Sequence, residues 1–135
     1  MISLNKKTVI ITVAIVFLVA LSFTVYTFLN SSKGFEILIN NNTNKEISGL
    51  NITYNNITKD ITVPNILPQS NFKFNINPKE NFGENTMKMY YYDKTNKKHE
   101  EILVGYFEKG YRGKVYIEIN SINDNGKLEV KVDQK

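Results

Sequence analysis

The chain has 135 residues, a net charge of +4, 41% hydrophobic residues, no Cys and no Trp. That length holds one small domain plus one further segment, which excludes a two-domain enzyme, a dinucleotide-binding sheet of usual size and an (α/β) barrel. Without Cys there is no disulfide, thiolate zinc site, lipidated cysteine or cysteine nucleophile, and a single His, His99, excludes a multi-histidine metal centre.

The first predicted element is a helix. Thr8 to Leu29 carries no charge, Gly or Pro, and its 22 residues reach about 33 Å at helical rise, enough to cross a bilayer core. The hydroxyls of Thr8, Thr12, Ser22, Thr24 and Thr27 can bond back to helical carbonyls, and no polar stripe marks a soluble core helix. Lys6 and Lys7 precede the run, as in both signal peptides and signal-anchors. Cleavage at Ala20-Leu21-Ser22 would leave a greasy new terminus, and the run exceeds an ordinary signal-peptide core, so an uncleaved anchor is expected. The two lysines place residues 1–7 in the cytoplasm, 8–29 in the membrane, 30–34 as a linker and 35–135 outside the cytoplasm. Tyr26 and Phe28 suit the outer interface. Without residues 1–29 the balance is fifteen basic to thirteen acidic side chains, a net +2 of mixed sign, so nucleic acid is not an expected partner.

After Gly34 the hydrophobic period becomes two. Phe35, Ile37 and Ile39 form the first inward-facing set, followed after the polar NNNTNK stretch by Leu50, Ile52 and Tyr54, then Ile61 and Val63. Pro64 and Pro68 bracket a break. Phe72, Phe74 and Ile76 follow, then, after the PKENFGE loop, Met87, Met89 and Tyr91. Ile102, Val104 and Tyr106 come next, then Val115, Ile117 and Ile119, and finally Leu128, Val130 and Val132. Eight one-faced strands need a second sheet or a closed barrel to bury their apolar sides. An Ig-like antiparallel β-sandwich of about seven to eight strands is expected, with a small barrel as the alternative, and the last three strands are expected to be consecutive antiparallel neighbours. The layout Phe35-x-Ile37-x-Ile39-Asn40, Leu50-x-Ile52-x-Tyr54 and Ile61-x-Val63-Pro64-x-Ile66-x-Pro68 resembles Ig-like modules of bacterial envelope proteins, over the first half of the domain and without a Cys and Trp core. It implies a fold and no activity. Nineteen Asn, and sixteen Lys against one Arg, suit an AT-rich coding sequence from a low-GC bacterium.

Chemistry-bearing patterns are sparse. His99, in Lys97-Lys98-His99-Glu100-Glu101, would need a nucleophile to act as a general base, and the segment reads as a charged, solvated turn. Glu100 and Glu101 point to opposite faces of a strand. Ser121 to Gly126 has the Gly of a calcium loop without its acidic ligands and reads as a hairpin turn. The stretch Gly105 to Tyr116 is the richest: Tyr111 and Arg112 at a loop tip, with Lys109 and Lys114, suit a carboxylate, a phosphate or a sugar face. Tyr90 and Tyr92 should face outward, sharing a side with Leu103 and Phe107. Those observations point to a non-enzymatic, membrane-anchored extracytoplasmic domain, accessory or immunity-type, that uses Tyr90, Tyr92, Lys109, Tyr111, Arg112 and Lys114 to bind a protein or an anionic cell-wall polymer, with no cofactor or metal. A structural subunit of a membrane complex is the alternative. An envelope hydrolase is a further one and would need Glu80, Glu84 and Glu108 to converge.

Overall fold

A computed structural model of the chain describes residues 5–29 and 34–135. The chain divides into two units, Met1–Ser31 and Ser32–Lys135. The first holds helix α1, Lys6–Leu29. It starts two residues before the uncharged run because Asn5 caps it, its side-chain oxygen accepting from the Lys7 N–H at 3.2 Å. The hydroxyls of Thr12, Ser22 and Thr24 donate to the carbonyls of Thr8, Leu18 and Leu21 at 2.7–2.9 Å, so these polar groups are satisfied inside the helix. Lys6–Tyr26 is long and apolar enough to cross a membrane, with a mean hydropathy of 2.7 and no part of it buried. The Phe28 and Thr27 side chains and linker residues 30–33 lie outside the described residues.

The second unit contains, among the described residues, eight strands: β1 (Phe35–Asn41), β2 (Asn51–Tyr54), β3 (Ile61–Thr62), β4 (Ser70–Ile76), β5 (Asn85–Tyr92), β6 (Lys98–Phe107), β7 (Gly113–Ile122) and β8 (Leu128–Gln134). They form two four-stranded sheets, ordered β4-β1-β7-β8 and β3-β2-β5-β6. The expected sandwich is therefore present, and the barrel alternative is not. Pairing is antiparallel except between β1 and β7, which run parallel with Phe35 beside Gly113 and Asn41 beside Ile119. Strict alternation buries Phe35, Ile37 and Ile39 of β1, Val115, Ile117 and Ile119 of β7, and Met87, Met89 and Tyr91 of β5 between the sheets.

Two expectations fail at β6. The last three strands are not consecutive neighbours: β6 pairs with β5 in one sheet, while β7 lies between β1 and β8 in the other. A loop of five residues, 108–112, suffices to change sheets, because packed sheets lie only about 10 Å apart. The inward set is also different. The β5–β6 register slips between Asn85 and Met87 and again between Met87 and Lys88, each slip leaving an extra residue on β6. These bulges bury the consecutive Leu103 and Val104, then Phe107, and turn Ile102 and Tyr106 outward.

Each end of the sandwich has its own ties. At one end lie Gly34, the β4–β5 loop, the β6–β7 loop and Lys135. The Gly113 N–H donates to the Gly34 carbonyl at 3.2 Å, and Lys114 and Lys135 exchange backbone hydrogen bonds. Phe107 closes this end with rings edge-on to Phe35 at 5.2 Å, Phe82 at 5.4 Å and Tyr54 at 6.1 Å. At the other end Asn41, fully buried at the end of β1, donates to the carbonyls of Lys45, Ile66 and Leu67 and accepts from the Thr43 N–H and hydroxyl. The β5–β6 turn docks there on the β7–β8 turn through Lys94 N–H to the Asn125 carbonyl at 2.9 Å. The Asn123–Lys127 stretch is a hairpin turn with Gly126 at φ 84°, as expected from its sequence.

Candidate functional site

Five of the six residues singled out from sequence fall on two separate surfaces, and the sixth, Lys114, lies on β7 outside both. Tyr90 and Tyr92 project from β5 on the outer face of the β3-β2-β5-β6 sheet, because Met89 and Tyr91 take the inward positions. The Tyr90 hydroxyl donates to Asp60 at 2.6 Å, and this bond, with partial burial, pushes the phenol up to about 12. The same contact, with a second from Thr53, holds the Asp60 carboxyl below its usual range. The Tyr92 ring stands edge-on to Tyr90 at 6.2 Å, and the Lys98 ammonium sits 4.5 Å over the Tyr90 ring. Lys98 and Lys88 both reach Glu100, at 2.6 and 3.5 Å.

The apolar neighbours expected on this face, Leu103 and Phe107, are buried between the sheets because of the β6 bulges. Ile102 takes their place, 59% exposed and directly opposite Lys88, while Tyr92 is 55% exposed. A recess of about 280 Å³ adjoins it, lined by Thr53, Tyr54, Asn55, Thr86, Lys88 and Glu100. This face thus offers an aliphatic side chain and two rings that alternate with Lys88, Glu100 and Lys98 across the β5–β6 pair.

The β6–β7 loop forms the second surface. Glu108 to Tyr111 closes as a turn with Gly110 at φ 88°, a conformation that disfavours any side chain. Phe107 turns inward, but Tyr106 and Tyr111 both stay about half exposed, ring edge to ring face at 6.0 Å. The Tyr106 hydroxyl donates to the Glu108 carboxylate, which pushes the phenol up to about 12. Lys109 and Arg112 are exposed in the loop. Lys114 belongs to β7 instead, where it shares the Glu36 carboxylate with Lys73, at 3.5 and 2.9 Å. Along β5 the Tyr92 and Asn85 levels are seven residues apart, about 23 Å at strand rise, so Tyr92 and the loop do not share one site, and Ile102 and the recess lie between them.

His99 departs from its expected place in a solvated turn. It lies on β6, its side chain 12% exposed, its ring stacked on Tyr91 at 5.1 Å, with Nε2 2.8 Å from Asp93 Oδ2. The other Asp93 oxygen accepts from the Thr95 hydroxyl and from the N–H groups of Thr95 and Lys97. His99 first, and then Thr95, hold the Asp93 carboxyl well below its usual range. The Tyr91 hydroxyl beneath accepts from the Leu128 N–H at 2.9 Å, linking the two sheets. Sequence reading missed this network. Its one signal is the Asp-x-Thr start of an Asx turn, six residues before the His.

Of the three carboxylates a hydrolase would need, Glu80 accepts from the Tyr54 hydroxyl at 2.8 Å and the Lys79 N–H at 3.0 Å. Backbone hydrogen bonding at Glu80 itself, with that hydroxyl, holds its carboxyl below the usual range, the opposite of what a proton donor needs. Among the described residues no group of three or more His, Asp or Glu side chains is placed to hold a metal ion.

No family model matches the chain, and no curated protein matches it. Among solved structures, the chain is similar to the NMR structure of a protein from Eubacterium rectale, with 18% identity and a TM-score of 0.45 over 78% of this chain and 92% of that one.

Proposed function

We propose that the chain is a membrane-anchored binding protein whose β domain lies outside the cytoplasm and engages another protein through the outer face around Tyr90, Tyr92 and Ile102. The observation that carries the reading is α1, whose large apolar side chains from Val9 to Tyr26 are 44–67% exposed all round. Such a surface suits lipid better than water. Lys6 and Lys7 before the span orient the β domain outward by the positive-inside rule.

Support for protein binding comes from the composition of the sheet face. Ile102 and the two tyrosines, interleaved with Lys88, Lys98 and Glu100 across the β5–β6 pair, give the mixture of apolar, aromatic and charged side chains found in a modest interface. An anionic wall polymer would favour a basic surface, whereas Glu100 offsets these lysines. The role fits an accessory or immunity-type protein, which occupies a partner and catalyses nothing.

The test is a photo-crosslinking residue at Tyr92 of the anchored chain in its own cells, with captured species resolved by mass. A defined protein partner, lost when Ile102→Glu is added, supports the reading. Capture of glycan alone, or a pattern that Ile102→Glu leaves unchanged, overturns it.

A further inference from the structure

A cavity of about 170 Å³ lies at the Asn41 end of the sandwich, with Ile47, Tyr91, Tyr92, Ile122 and Leu128 among its walls. Strand β2 begins only at Asn51. Ahead of it the chain is held by a single bridge, Ile47 to Ile66, and the cavity lies between that segment and the paired Ile122 and Leu128 of β7 and β8. Three ties fix the walls before anything enters. They are the Ile47–Ile66 backbone pair, the Lys94 N–H on the Asn125 carbonyl, and the Leu128 N–H on the Tyr91 hydroxyl. A preformed hollow of this kind needs little ordering when it binds. It is too small for a nucleotide or a cofactor, whose pockets start near about 300 Å³. An apolar cavity of about 150 Å³, however, takes a benzene ring.

One group in the wall is half used. Tyr91 is only 4% exposed, and its hydroxyl accepts from the Leu128 N–H at 2.9 Å. A phenol can also donate, yet among the described residues nothing accepts the Tyr91 proton. Both residues of that bond line the cavity, so an oxygen entering there meets a waiting donor. Charge at the rim is balanced, Glu46 against Lys94, and Asp93 is already held by His99 and Thr95. A neutral occupant is therefore favoured. Among neutral side chains only tyrosine joins a six-membered ring to an oxygen. Tyr92, 55% exposed, belongs both to the cavity and to the outer face, so a partner seated on that face stands beside the opening. We propose that the protein partner places a tyrosine side chain in this cavity, its ring against Ile47, Ile122 and Leu128 and its oxygen accepting from the Tyr91 hydroxyl. The inference rests on the reading of the Tyr90, Tyr92 and Ile102 face as a protein contact, and it names the anchor that the partner supplies.

The probes are N-acetyltyrosinamide and N-acetylphenylalaninamide, titrated into the full chain in phospholipid nanodiscs and read by NMR on the isotope-labelled amide of Leu128. Both should shift that amide, with the tyrosine probe binding more tightly by about fivefold, the worth of one hydrogen bond. Tyr91→Phe should remove the preference. Ile122→Trp, which fills the cavity, should abolish both shifts. Should that variant fail to fold, Ser48→Trp blocks the cavity from an exposed lining position. An unmoved Leu128 amide, or equal affinities of the two probes for the wild type, overturns the proposal whatever the partner is. In cells, a photo-crosslinking residue at Lys88, which is on the same face but is not a wall of the cavity, should lose its captured protein when the cavity is filled. Capture that persists in the filled variant overturns the tyrosine anchor and leaves the outer face standing as a contact. No captured protein from the unfilled chain overturns the face reading and this inference together.

Discussion

Replacing Asn41 by Ala should be among the most damaging single changes in the β domain, although the side chain is polar and belongs to an asparagine-rich stretch. Its amide donates to three carbonyls and its oxygen accepts two hydrogen bonds, all at 2.8–3.1 Å. The carbonyls each keep another donor: Lys45 from the Thr43 hydroxyl, Ile66 from the Ile47 N–H and Leu67 from the Ser70 hydroxyl. The Thr43 N–H, by contrast, loses its acceptor in a buried place. Several modest net bonds and one stranded donor together come to about 3 kcal/mol. For a domain of this size that lowers the melting temperature by about 12–24 °C. The assay is thermal unfolding of the full chain in detergent, followed by near-UV circular dichroism of the tyrosines. Asn42→Ala is the paired control, since its side chain makes only a surface bond to Asn120 and should cost no more than about 0.5 kcal/mol. A loss below about 1 kcal/mol for Asn41→Ala, or equal losses for the two variants, would refute the assignment of Asn41 as the tie between the 42–47 and 64–69 loops.

Two further outcomes follow from the β5–β6 hairpin. Leu103→Ala should cost about 2–4 kcal/mol by cavity formation and Ile102→Ala no more than about 0.5 kcal/mol, measured by urea denaturation; a period-two strand without bulges would give the reverse order. Asp93, whose carboxyl is held low by His99 and Thr95, contributes stability that is present above the unfolded carboxylate pKa of about 4 and is lost as pH falls through the lower folded value. The wild-type domain should therefore lose stability steadily as pH drops below about 4, and Asp93→Asn should be less stable at neutral pH with a shallower acid limb. Parallel acid limbs for the two proteins in pH-dependent unfolding would remove Asp93 from the account.

The apolar helix and the inward faces of β1, β5, β7 and β8 are legible in the sequence because each depends on a local period: uniform hydrophobicity for α1, and alternation for strands that stay in register. Tyr91 inward with Tyr90 and Tyr92 outward follows from Met87 and Met89 alone. The reading fails where a long-range pairing overrides that period. Nothing local marks the bulges that bury Leu103 beside Val104 and expose Ile102, because a bulge exists only relative to a partner strand. His99 resides in a run of charges that reads as solvated, and only the pairing of β6 with β5 stacks it on Tyr91 and within reach of Asp93. The candidate residues show the same division. Aromatic and basic side chains in the 105–116 stretch announce a contact surface, but the parallel pairing of β1 with β7 is what brings that loop beside Gly34. Side-chain polarity at short spacing is enough to give the membrane-length helix, the all-β class and the chemistry of the exposed rings. Tertiary structure alone decided which strand joins which sheet and therefore that Tyr90 and Tyr111 serve different surfaces, because strand order is set by the burial of whole faces over distances no local pattern encodes.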